Sequence, residues 1–358
     1  MLTELTLTHF RNIQKAVVYP DPGINILSGE NGSGKTSVLE AIYLLAMGRS
    51  FRTRNLKNVI QTDEVHFQVF ARIKPGIPVG LQFSSATGIQ IRLNNAPLKK
   101  LSELASHLPL QYIPANCHQF FELGPSFRRR VVDWGLFHVE QDFLFHWQAY
   151  KKILSQRNAA LRNNKPVTEI RVWNVSLVEH GLHLSRYRNE YLMQLLISFE
   201  KWFNKLCKDF NNAKFELRYL SGWPKEHEFK NVIETTIDRD RALGYTRSGP
   251  HAADWSIRIN GNDPAEVLSR GQQKLFFLAI SLAQISLLQQ FNEQKSILLV
   301  DDISSELDVQ HQHLVLDCIK DLRVQTFITT TSSELNAAIE NDENGSLFHV
   351  ERGELRQI

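Results

Sequence analysis

The sequence contains 358 residues, which at about 150 residues per domain corresponds to two domains or to one domain with a large insertion. Hydrophobic residues make up 42% and charged residues 22%, values typical of a globular protein with a sizeable core. The formal net charge is +3, from 41 basic and 38 acidic residues, which is too small to indicate nucleic-acid binding by composition alone. Any basic surface must therefore come from local clustering of Lys and Arg.

The sequence predicts neither a membrane span nor a secretory signal. The longest apolar stretch, 275–288, is interrupted by polar residues and is shorter than the roughly 20 residues that a spanning helix needs. The first residues alternate apolar and polar, as a strand does, and lack the basic and apolar regions of a leader. Cys117, Cys207 and Cys318 are widely scattered, which predicts buried, reduced thiols in a cytoplasmic protein and no metal-binding set.

The first third of the chain is predicted to mix strands and helices. Alternating apolar residues predict strands over Glu4–Phe10, His66–Ile73 and Gln90–Leu93. One helix is predicted between the first two, over Thr36–Ala46. The predicted fold of this part is therefore α/β.

Residues from about 126 to 235 are predicted to be helical. Aromatic and aliphatic residues recur at helical spacing in two runs, separated by a break at 163–166, where Pro166 cannot continue a helix interior. The runs are Phe143, Trp147, Tyr150 and Leu154, then Tyr187, Tyr191, Leu195, Phe199, Trp202 and Leu206. Because helical spacing accounts for these aromatics, they are interpreted as core rather than as a base-stacking surface.

The last third is again predicted to be mixed. A helix is predicted over Gln273–Gln289 and strands over Ser296–Val300, Gln325–Thr329 and Phe348–Val350. The sequence thus predicts an α/β domain, made of residues 1–110 and 241–358, that is split by an inserted, mainly helical domain of residues 111–240.

Residues 29–36 read Gly-Glu-Asn-Gly-Ser-Gly-Lys-Thr and match the phosphate-binding loop G-x-x-x-x-G-K-[ST] in full. An apolar strand precedes the loop and a helix follows it, which disfavours the alternative of a chance glycine turn. Lys35 is expected to reach the β- and γ-phosphates, and the Thr36 hydroxyl to bind Mg²⁺. The residues expected to bind the nucleotide here are Gly29, Glu30, Asn31, Gly32, Ser33, Gly34, Lys35, Thr36 and Ser37.

A phosphate-binding loop needs an acidic residue on a neighbouring strand to complete the metal site. Residues 297–302, which read Ile-Leu-Leu-Val-Asp-Asp, supply two candidates. Ligands of open α/β sheets bind beyond the carboxyl ends of strands, where these aspartates are predicted to lie. We expect Asp301 to hold Mg²⁺ through water and Asp302 to polarise the attacking water. The alternative is a pair of solvated aspartates that end a strand. Because Lys35 and Asp301 are far apart in sequence, the helical middle must be an insertion.

The segment 268–272, Leu-Ser-Arg-Gly-Gln, opens a second predicted helix before the aspartates, and Ser305-Glu306-Leu307-Asp308 follows them. This order resembles the ABC-type ATPases, with their signature motif, Walker B strand and D-loop. In that family the signature contacts the γ-phosphate held by a second subunit, and a helix N-terminus is a physically suitable anion site. The resemblance implies a head-to-tail homodimer with two shared ATP sites. It adds Ser269, Gly271, Gln272 and Asp308 to the nucleotide-binding residues.

Within the ABC-type ATPases the chain resembles the RecF family of bacterial recombination-repair ATPases, which are akin to the SMC ATPases but lack their long coiled coil. The resemblance extends over nearly the whole chain and is carried by Phe10-Arg11-Asn12, Gly48–Thr53, Arg128–Arg130, Ser248–His251, Ser269–Gln272 and Asp301-Asp302. It implies a weak ATPase that uses ATP and Mg²⁺, closes as a dimer on double-stranded or gapped DNA, and assists RecA loading with RecO and RecR. Arg11 and Asn12 join the expected nucleotide site.

Four features depart from the ABC or RecF patterns. Asp302 stands where a glutamate is usual, which is consistent with slow hydrolysis. Thr329–Thr331 occupies the place of the switch histidine, and a hydroxyl cannot carry charge near neutral pH. Gln119 is the candidate Q-loop residue, with a plain loop as the alternative. After His251 the family's Arg-Asp-Asp is replaced by Ala252-Ala253-Asp254, so no charged role transfers to position 252.

Basic residues cluster in two places. Residues 49–62 carry four positive charges and no acid, and residues 126–190 carry eleven basic against six acidic residues, including Arg157 and Arg162. Such clusters suit phosphate contacts that do not read sequence, although solvated helix faces explain any single residue equally well. Together with the RecF resemblance they predict DNA contacts at Arg49, Arg52, Arg54, Arg128, Arg129 and Arg130.

Two other functions compete with a repair ATPase. The first is the nucleotide-binding subunit of an ABC transporter, which the missing switch histidine and the basic insertion disfavour. Co-purification with a membrane partner would favour it. The second is a P-loop kinase or GTPase, for which the sequence has no guanine-reading N-K-x-D segment.

Overall fold

The computed structural model describes residues 1–117, 119–291, 295–340 and 345–358. Its strands, in chain order, are β1 (Leu2–Phe10), β2 (Ile13–Val18), β3 (Ile24–Ser28), β4 (His66–Ile73), β5 (Ile77–Ser84), β6 (Gly88–Leu93), β7 (Ala96–Pro97), β8 (Leu110–Ile113), β9 (Phe215–Leu220), β10 (Asp254–Ile259), β11 (Ile297–Val300), β12 (Gln325–Thr330), β13 (Gly345–Glu351) and β14 (Glu354–Gln357). Its α-helices are α1 (Lys35–Met47), α2 (Leu101–His107), α3 (Gln119–Glu122), α4 (Pro125–Val139), α5 (Phe143–Arg162), α6 (Val167–Arg171), α7 (Asn174–Leu206), α8 (Phe229–Thr235), α9 (Ile237–Leu243), α10 (Pro264–Val267), α11 (Arg270–Phe291), α12 (Val309–Leu322) and α13 (Ser333–Glu340).

The chain folds as two compact units. Unit 1 consists of Met1–Cys117 and Glu293–Ile358, and unit 2 of His118–Asn292. The sequence prediction placed residues 241–292 with the ATPase domain, whereas the structure groups them with the helical unit. The reason is that β10 pairs with β9 and α11 packs along α7, so these residues share the core of unit 2.

The core sheet of unit 1 has the strand order β14-β13-β3-β12-β11-β8. The pairs β13–β3, β3–β12, β12–β11 and β11–β8 are parallel, and β14 is antiparallel to β13. Parallel pairing places the carboxyl ends of β3, β8, β11 and β12 at one edge of the sheet. The polar residues that follow these strands are thereby brought together although they come from both ends of the chain.

A second sheet in unit 1 is antiparallel, with the order β2-β1-β4-β5-β6-β7. Helix α1 contacts strands of both sheets, and its apolar residues join a core cluster that includes side chains from each. The predicted strands in this sheet are confirmed as β1, β4 and β6, and β2, β5 and β7 are additions. In β5, Pro78 and Gly80 weaken the strand pattern.

Unit 2 is built on the 33-residue helix α7, which packs against α4, α5, α8 and α11. The aromatic stripe of α7 is core, as predicted: Tyr187, Tyr191, Phe199 and Trp202 are buried. The Phe199 ring packs edge-on against Phe276 of α11, with centroids 4.7 Å apart. The prediction of buried cysteines is also confirmed for Cys117, Cys207 and Cys318.

Helix α11 is, by length and composition, long and apolar enough to cross a membrane, which the interrupted apolar stretch did not predict. Of its most apolar window, 78% is buried inside the protein. Residues 275–285 are buried on every side of the helix, so packing within the folded chain accounts for their composition.

Candidate nucleotide site

The loop between β3 and α1 has the backbone that its glycines predict. Gly29 has φ 153° and Gly34 has φ 123°, values that side-chain-bearing residues rarely adopt. A side chain at Gly29 would also collide with the carbonyl oxygen of Val350 on β13, and one at Gly34 would press on Asn12. The Asn12 amide fixes the loop from outside by donating to the Ser33 carbonyl oxygen at 2.9 Å. The loop is therefore a strand-to-helix turn of the phosphate-binding type.

Lys35 begins α1 and turns its side chain back over the loop. Its Nζ donates to the carbonyl oxygens of Gly29 at 2.7 Å and Glu30 at 2.8 Å. An ammonium has three N–H donors, so one remains for a phosphate oxygen. Burial lowers the pKa of Lys35, while the charges of Asp302 and Asp301 act in the opposite direction. A bound polyanion would act in the same direction as the aspartates and favour the charged lysine.

Asp301 ends β11 directly opposite the first turn of α1. Its Oδ1 accepts hydrogen bonds from the Thr36 hydroxyl at 3.0 Å and the Thr329 hydroxyl at 2.8 Å. On the other side, the Tyr112 hydroxyl lies 3.5 Å from Asp301 Oδ2. Burial and the Asp301 charge raise the pKa of Tyr112, so the phenol stays a neutral donor. A threonine hydroxyl and a carboxylate are oxygen ligands of the kind that Mg²⁺ prefers, and the residues present thus fit that ion.

Asp302 has left-handed backbone, with φ 47°, which turns the chain away from β11. Its N–H donates to Thr329 Oγ1 at 2.7 Å, and its Oδ1 accepts from the Ser304 hydroxyl at 2.9 Å. Thr329, at the place of the missing switch histidine, therefore ties both aspartates together through one hydroxyl. Sequence reasoning flagged this position but did not give it that role.

Arg11 and Asn12 lie at the turn between β1 and β2, beside α1. Arg11 donates from Nε and Nη2 to the two carboxylate oxygens of Glu40, at 2.9 and 2.7 Å. Glu40 is fully buried, and sequence reasoning missed it. The sequence did contain a signal for Glu40: a carboxylate in the middle of an otherwise apolar helix needs a cationic partner.

A cavity of about 830 Å³ opens over the loop, within the roughly 300–1,000 Å³ range of small-molecule sites. Of the predicted residues, it is lined by Arg11, Asn12, Asn31, Gly32, Gly34, Lys35, Thr36, Ser37, Arg52, Asp301 and Asp302. Glu30 and Ser33 line a smaller cavity beside β13 instead. The backbone carbonyl oxygen of Gly29 accepts a hydrogen bond from the Lys35 ammonium. Ala115, which precedes the Q-loop candidate Gln119 by four positions, lines the main cavity, whereas the side chain of Gln119 is outside the described part of the chain.

The predicted signature residues open α11 in unit 2. The N–H of Ser269 donates to Gln272 Oε1 at 3.0 Å, and the N–H of Gln272 donates to Ser269 Oγ at 3.3 Å. This reciprocal pair is a capping box, with Gly271 inside the first turn. Asp308 of unit 1 caps α12 in a similar way, since its Oδ1 accepts from the His311 N–H at 2.8 Å. Both motifs thus shape helix N-termini, and their contact with a partner's nucleotide stays a prediction.

The arginines that were predicted to contact DNA differ in their exposure and in the groups that they bind within the protein. Arg128 forms a two-pronged ion pair with Asp254, both bonds 2.8 Å, and Arg129 donates to the Ala253 carbonyl oxygen at 2.6 Å. Arg130 is exposed and lies over the Phe127 ring. Arg157, counted in the basic cluster, is fully buried and paired with Asp240 at 2.7 Å, so it cannot contact DNA.

In unit 1, Arg49 and Arg54 are exposed. Arg52 is half-exposed and lies 3.5 Å from Glu40, lining the nucleotide cavity. The structure therefore connects Arg52 to the nucleotide site.

Known proteins are similar to this chain over nearly its whole length. The RecF/RecN/SMC N terminal domain family matches residues 1–355. The DNA replication and repair protein RecF of Nitrosococcus oceani is 38% identical over 362 residues, covering 100% of this chain and 99% of that protein. The chain belongs to the RecF family. The transporter-subunit alternative therefore loses its support.

Solved structures extend the likeness to the fold of this RecF-family chain. A structure of the recombination mediator protein RecF with ATPrS in the RecFOR pathway has a TM-score of 0.85 at 28% identity, covering 100% of this chain and 98% of that one. An Smc head bound to the C-winged helix domain of ScpA has a TM-score of 0.62 at 16% identity, covering 100% and 96%. The predicted fold class, an ABC-type P-loop ATPase, is confirmed.

Proposed function

We propose that this chain is an ATP-dependent DNA-binding protein of recombinational repair and replication restart. The observation that carries the proposal is the convergence of Lys35, Thr36, Asp301 and Asp302 on one cavity. Lys35 would bind the β/γ-phosphates, and Thr36 and Asp301 would hold Mg²⁺, which supplies charge neutralisation at the phosphates. Asp302 would accept the proton of the attacking water. A single aspartate in this role supports slow rather than fast hydrolysis.

The proposal includes an ATP-driven homodimer. Ser269, Gly271 and Gln272 would face the phosphates bound by the partner's loop, with Asp308 nearby in the shared site. The exposed N-terminus of α11 supports this role because the Ser269 hydroxyl and the positive end of the helix dipole suit an anion. Two such sites make a head-to-tail pair that closes with ATP and reopens after hydrolysis.

We further propose that the dimer closes on double-stranded or gapped DNA without reading sequence. RecR and RecO would be its protein partners, and RecA loading the indirect outcome, in the cytoplasm. The similarity to a RecF structure of the RecFOR pathway supports these partners. The exposed Arg49, Arg54 and Arg130 are the candidates for phosphate contacts.

The test is the molar mass measured by light scattering with and without ATP and duplex DNA. We expect a monomer without ATP and, with both ligands, a complex whose mass is that of two chains plus one duplex. Lys35→Ala should bind no measurable ATP and stay monomeric, whereas Lys15→Ala, which removes an exposed lysine on β2, should behave as the parent. Normal ATP affinity in Lys35→Ala, or a mass independent of ATP, would contradict the proposal.

A further inference from the structure

The two oxygens of the Asp301 carboxylate are held differently. Oδ1 accepts hydrogen bonds from two hydroxyls, that of Thr36 at 3.0 Å and that of Thr329 at 2.8 Å. Because both bonds meet at one oxygen, they constrain Oδ1 directly and Oδ2 only through the carboxylate group itself. The plane of the carboxylate is defined only when a further donor lies near Oδ2.

The Tyr112 hydroxyl is that donor. It lies 3.5 Å from Asp301 Oδ2, and Asp301 is its only hydrogen-bond partner in the part of the chain that the structure describes. The contact is longer than the roughly 2.5–3.0 Å of a typical O–H···O bond, so the hydroxyl orients Oδ2 without taking up its capacity to accept from other groups. Strand β8 runs parallel beside β11, and the Asp301 N–H donates to the Ile113 carbonyl oxygen at 2.9 Å. Main-chain bonds thus fix Tyr112 and Asp301 relative to each other.

The ring of Tyr112 is fixed by two other aromatic rings. It stacks on Phe51, in the loop after α1, with centroids 4.1 Å apart, and meets Tyr43 of α1 edge-on at 5.6 Å. Tyr43 and Phe51 also pack edge-on, with centroids 5.3 Å apart. Stacked and edge-on arrangements of this kind stabilise aromatic pairs. The three rings therefore hold the Tyr112 hydroxyl against Asp301, and a phenylalanine at position 112 would fill the same space without the donor.

We propose that Tyr112 is a positioning residue of the nucleotide site, whose hydroxyl holds Asp301 Oδ2 and so sets the orientation in which Asp301 binds a divalent cation. The inference rests on the proposed function, in which Thr36 and Asp301 hold Mg²⁺. Removing a hydrogen-bond partner of a metal-binding carboxylate typically costs about 10–100-fold in metal affinity. Because the Tyr112 contact is long, its loss should lie at the lower end of that range.

The test compares Tyr112→Phe with Tyr43→Phe, which removes a hydroxyl from the same three-ring cluster. The Tyr43 hydroxyl forms no hydrogen bond with any residue that the structure describes, so it is a matched control. Mn²⁺, a paramagnetic substitute for Mg²⁺, is titrated by EPR in the presence of a non-hydrolysable ATP analogue. Its affinity should fall about tenfold in Tyr112→Phe and stay at the parental value in Tyr43→Phe. Affinity for the analogue in EDTA, where no metal is bound, should be the same in all three proteins.

A purely structural role for Tyr112 predicts a different result, namely a lowered melting temperature with unchanged metal affinity. Parental or tighter Mn²⁺ binding in Tyr112→Phe, or an equal loss in Tyr43→Phe, would overturn the inference. If the parent binds ATP and Lys35→Ala does not, the proposed function stands even where Tyr112→Phe behaves as the parent. A parent that binds no ATP would overturn both.

Discussion

The Thr36 hydroxyl donates a 3.0 Å hydrogen bond to Asp301, a residue 265 positions later in the chain. Thr36 lies in the first turn of α1 and Asp301 at the end of β11, on either side of the nucleotide cavity. This bond joins the two halves of unit 1 at the place where the metal ligands are expected. Substitutions in either chain segment of unit 1 should therefore affect the same nucleotide site.

Asp302→Asn should trap bound ATP. The amide keeps the shape of the carboxylate and the contact with Ser304 but cannot accept a proton from water. Removing a general base typically costs at least about 100-fold in rate, while binding should stay within about twofold of the parent. Phosphate release and ATP titration measure the two quantities. Asp317→Asn, an exposed carboxylate on α12, is the matched control, and parental hydrolysis in Asp302→Asn would assign the base to another residue.

A mixture of two inactive variants should regain activity. Ser269→Arg places bulk and charge at the N-terminus of α11 but leaves the phosphate-binding loop of its own chain intact. Lys35→Ala disables the loop and leaves the signature intact. In a mixed dimer one shared site carries both changes and the other carries neither, so ATP hydrolysis should reappear at up to about half of the parental rate per dimer.

The two variants measured singly are the controls for that mixture. Each should show no ATP-dependent dimer by light scattering. Dimerisation of Ser269→Arg alone with ATP would show that α11 does not face the partner's nucleotide.

Arg130 and Arg128 should respond differently in DNA binding. Arg130→Gln removes an exposed cation and should lower the slope of log affinity against log salt by about one. Arg128→Gln breaks the ion pair with Asp254 and should lower the melting temperature instead, with little change in slope. Fluorescence anisotropy of a labelled duplex over a series of KCl concentrations measures the slope. Equal slopes in Arg130→Gln and the parent would remove Arg130 from the DNA contacts.

Removing one partner of the buried pair Arg157 and Asp240 should destabilise unit 2. Arg157 also donates to Thr246 and Asn174, and burial raises the pKa of Asp240 against the opposing effect of Arg157. Arg157→Met leaves the carboxylate buried without its partner and should cost about 3–5 kcal/mol in the free energy of unfolding. Arg162→Met, at an exposed position of the same helix, should change it by less than about 0.5 kcal/mol in urea titrations.

His138 should make the protein less stable in acid. Burial lowers its pKa to about 4, whereas an unfolded histidine titrates near 6.5. The unfolded chain therefore binds a proton that the folded chain does not, so stability is lost as the pH falls from about 6.5 towards 4 and is unaffected above that window.

His138→Gln removes this proton uptake. Between about pH 7 and 4.5 the variant should lose about 1–2 kcal/mol less than the parent, because the partly exposed ring delivers less than the full linkage value. His227→Gln, an exposed histidine of unit 2, should lose as much as the parent. Parallel curves for parent and His138→Gln would contradict the prediction.

The parts of the site that depend on local sequence were predictable. The loop 29–36 requires a contiguous motif, and two aspartates directly follow β11, so both features can be recognised from neighbouring residues alone. The environments of the arginines could not be predicted. The partner of Arg128 is 126 residues away in sequence, and Arg157 is neutralised by Asp240. Charge in a sequence does not reveal whether a folded neighbour cancels it. The unit boundary was missed for the same reason, since the long-range packing of α11 on α7 decides it.

The position of β3 in the core sheet has a consequence for synthesis on the ribosome. β3 carries the phosphate-binding loop, and its neighbours on both sides, β12 and β13, follow residue 324. While unit 2 emerges and folds, β3 has neither partner strand, and its buried apolar side chains have no sheet to join. A nascent chain therefore cannot hold nucleotide until translation is nearly finished, and any premature stop before β12 yields a polypeptide with the complete loop but no pocket.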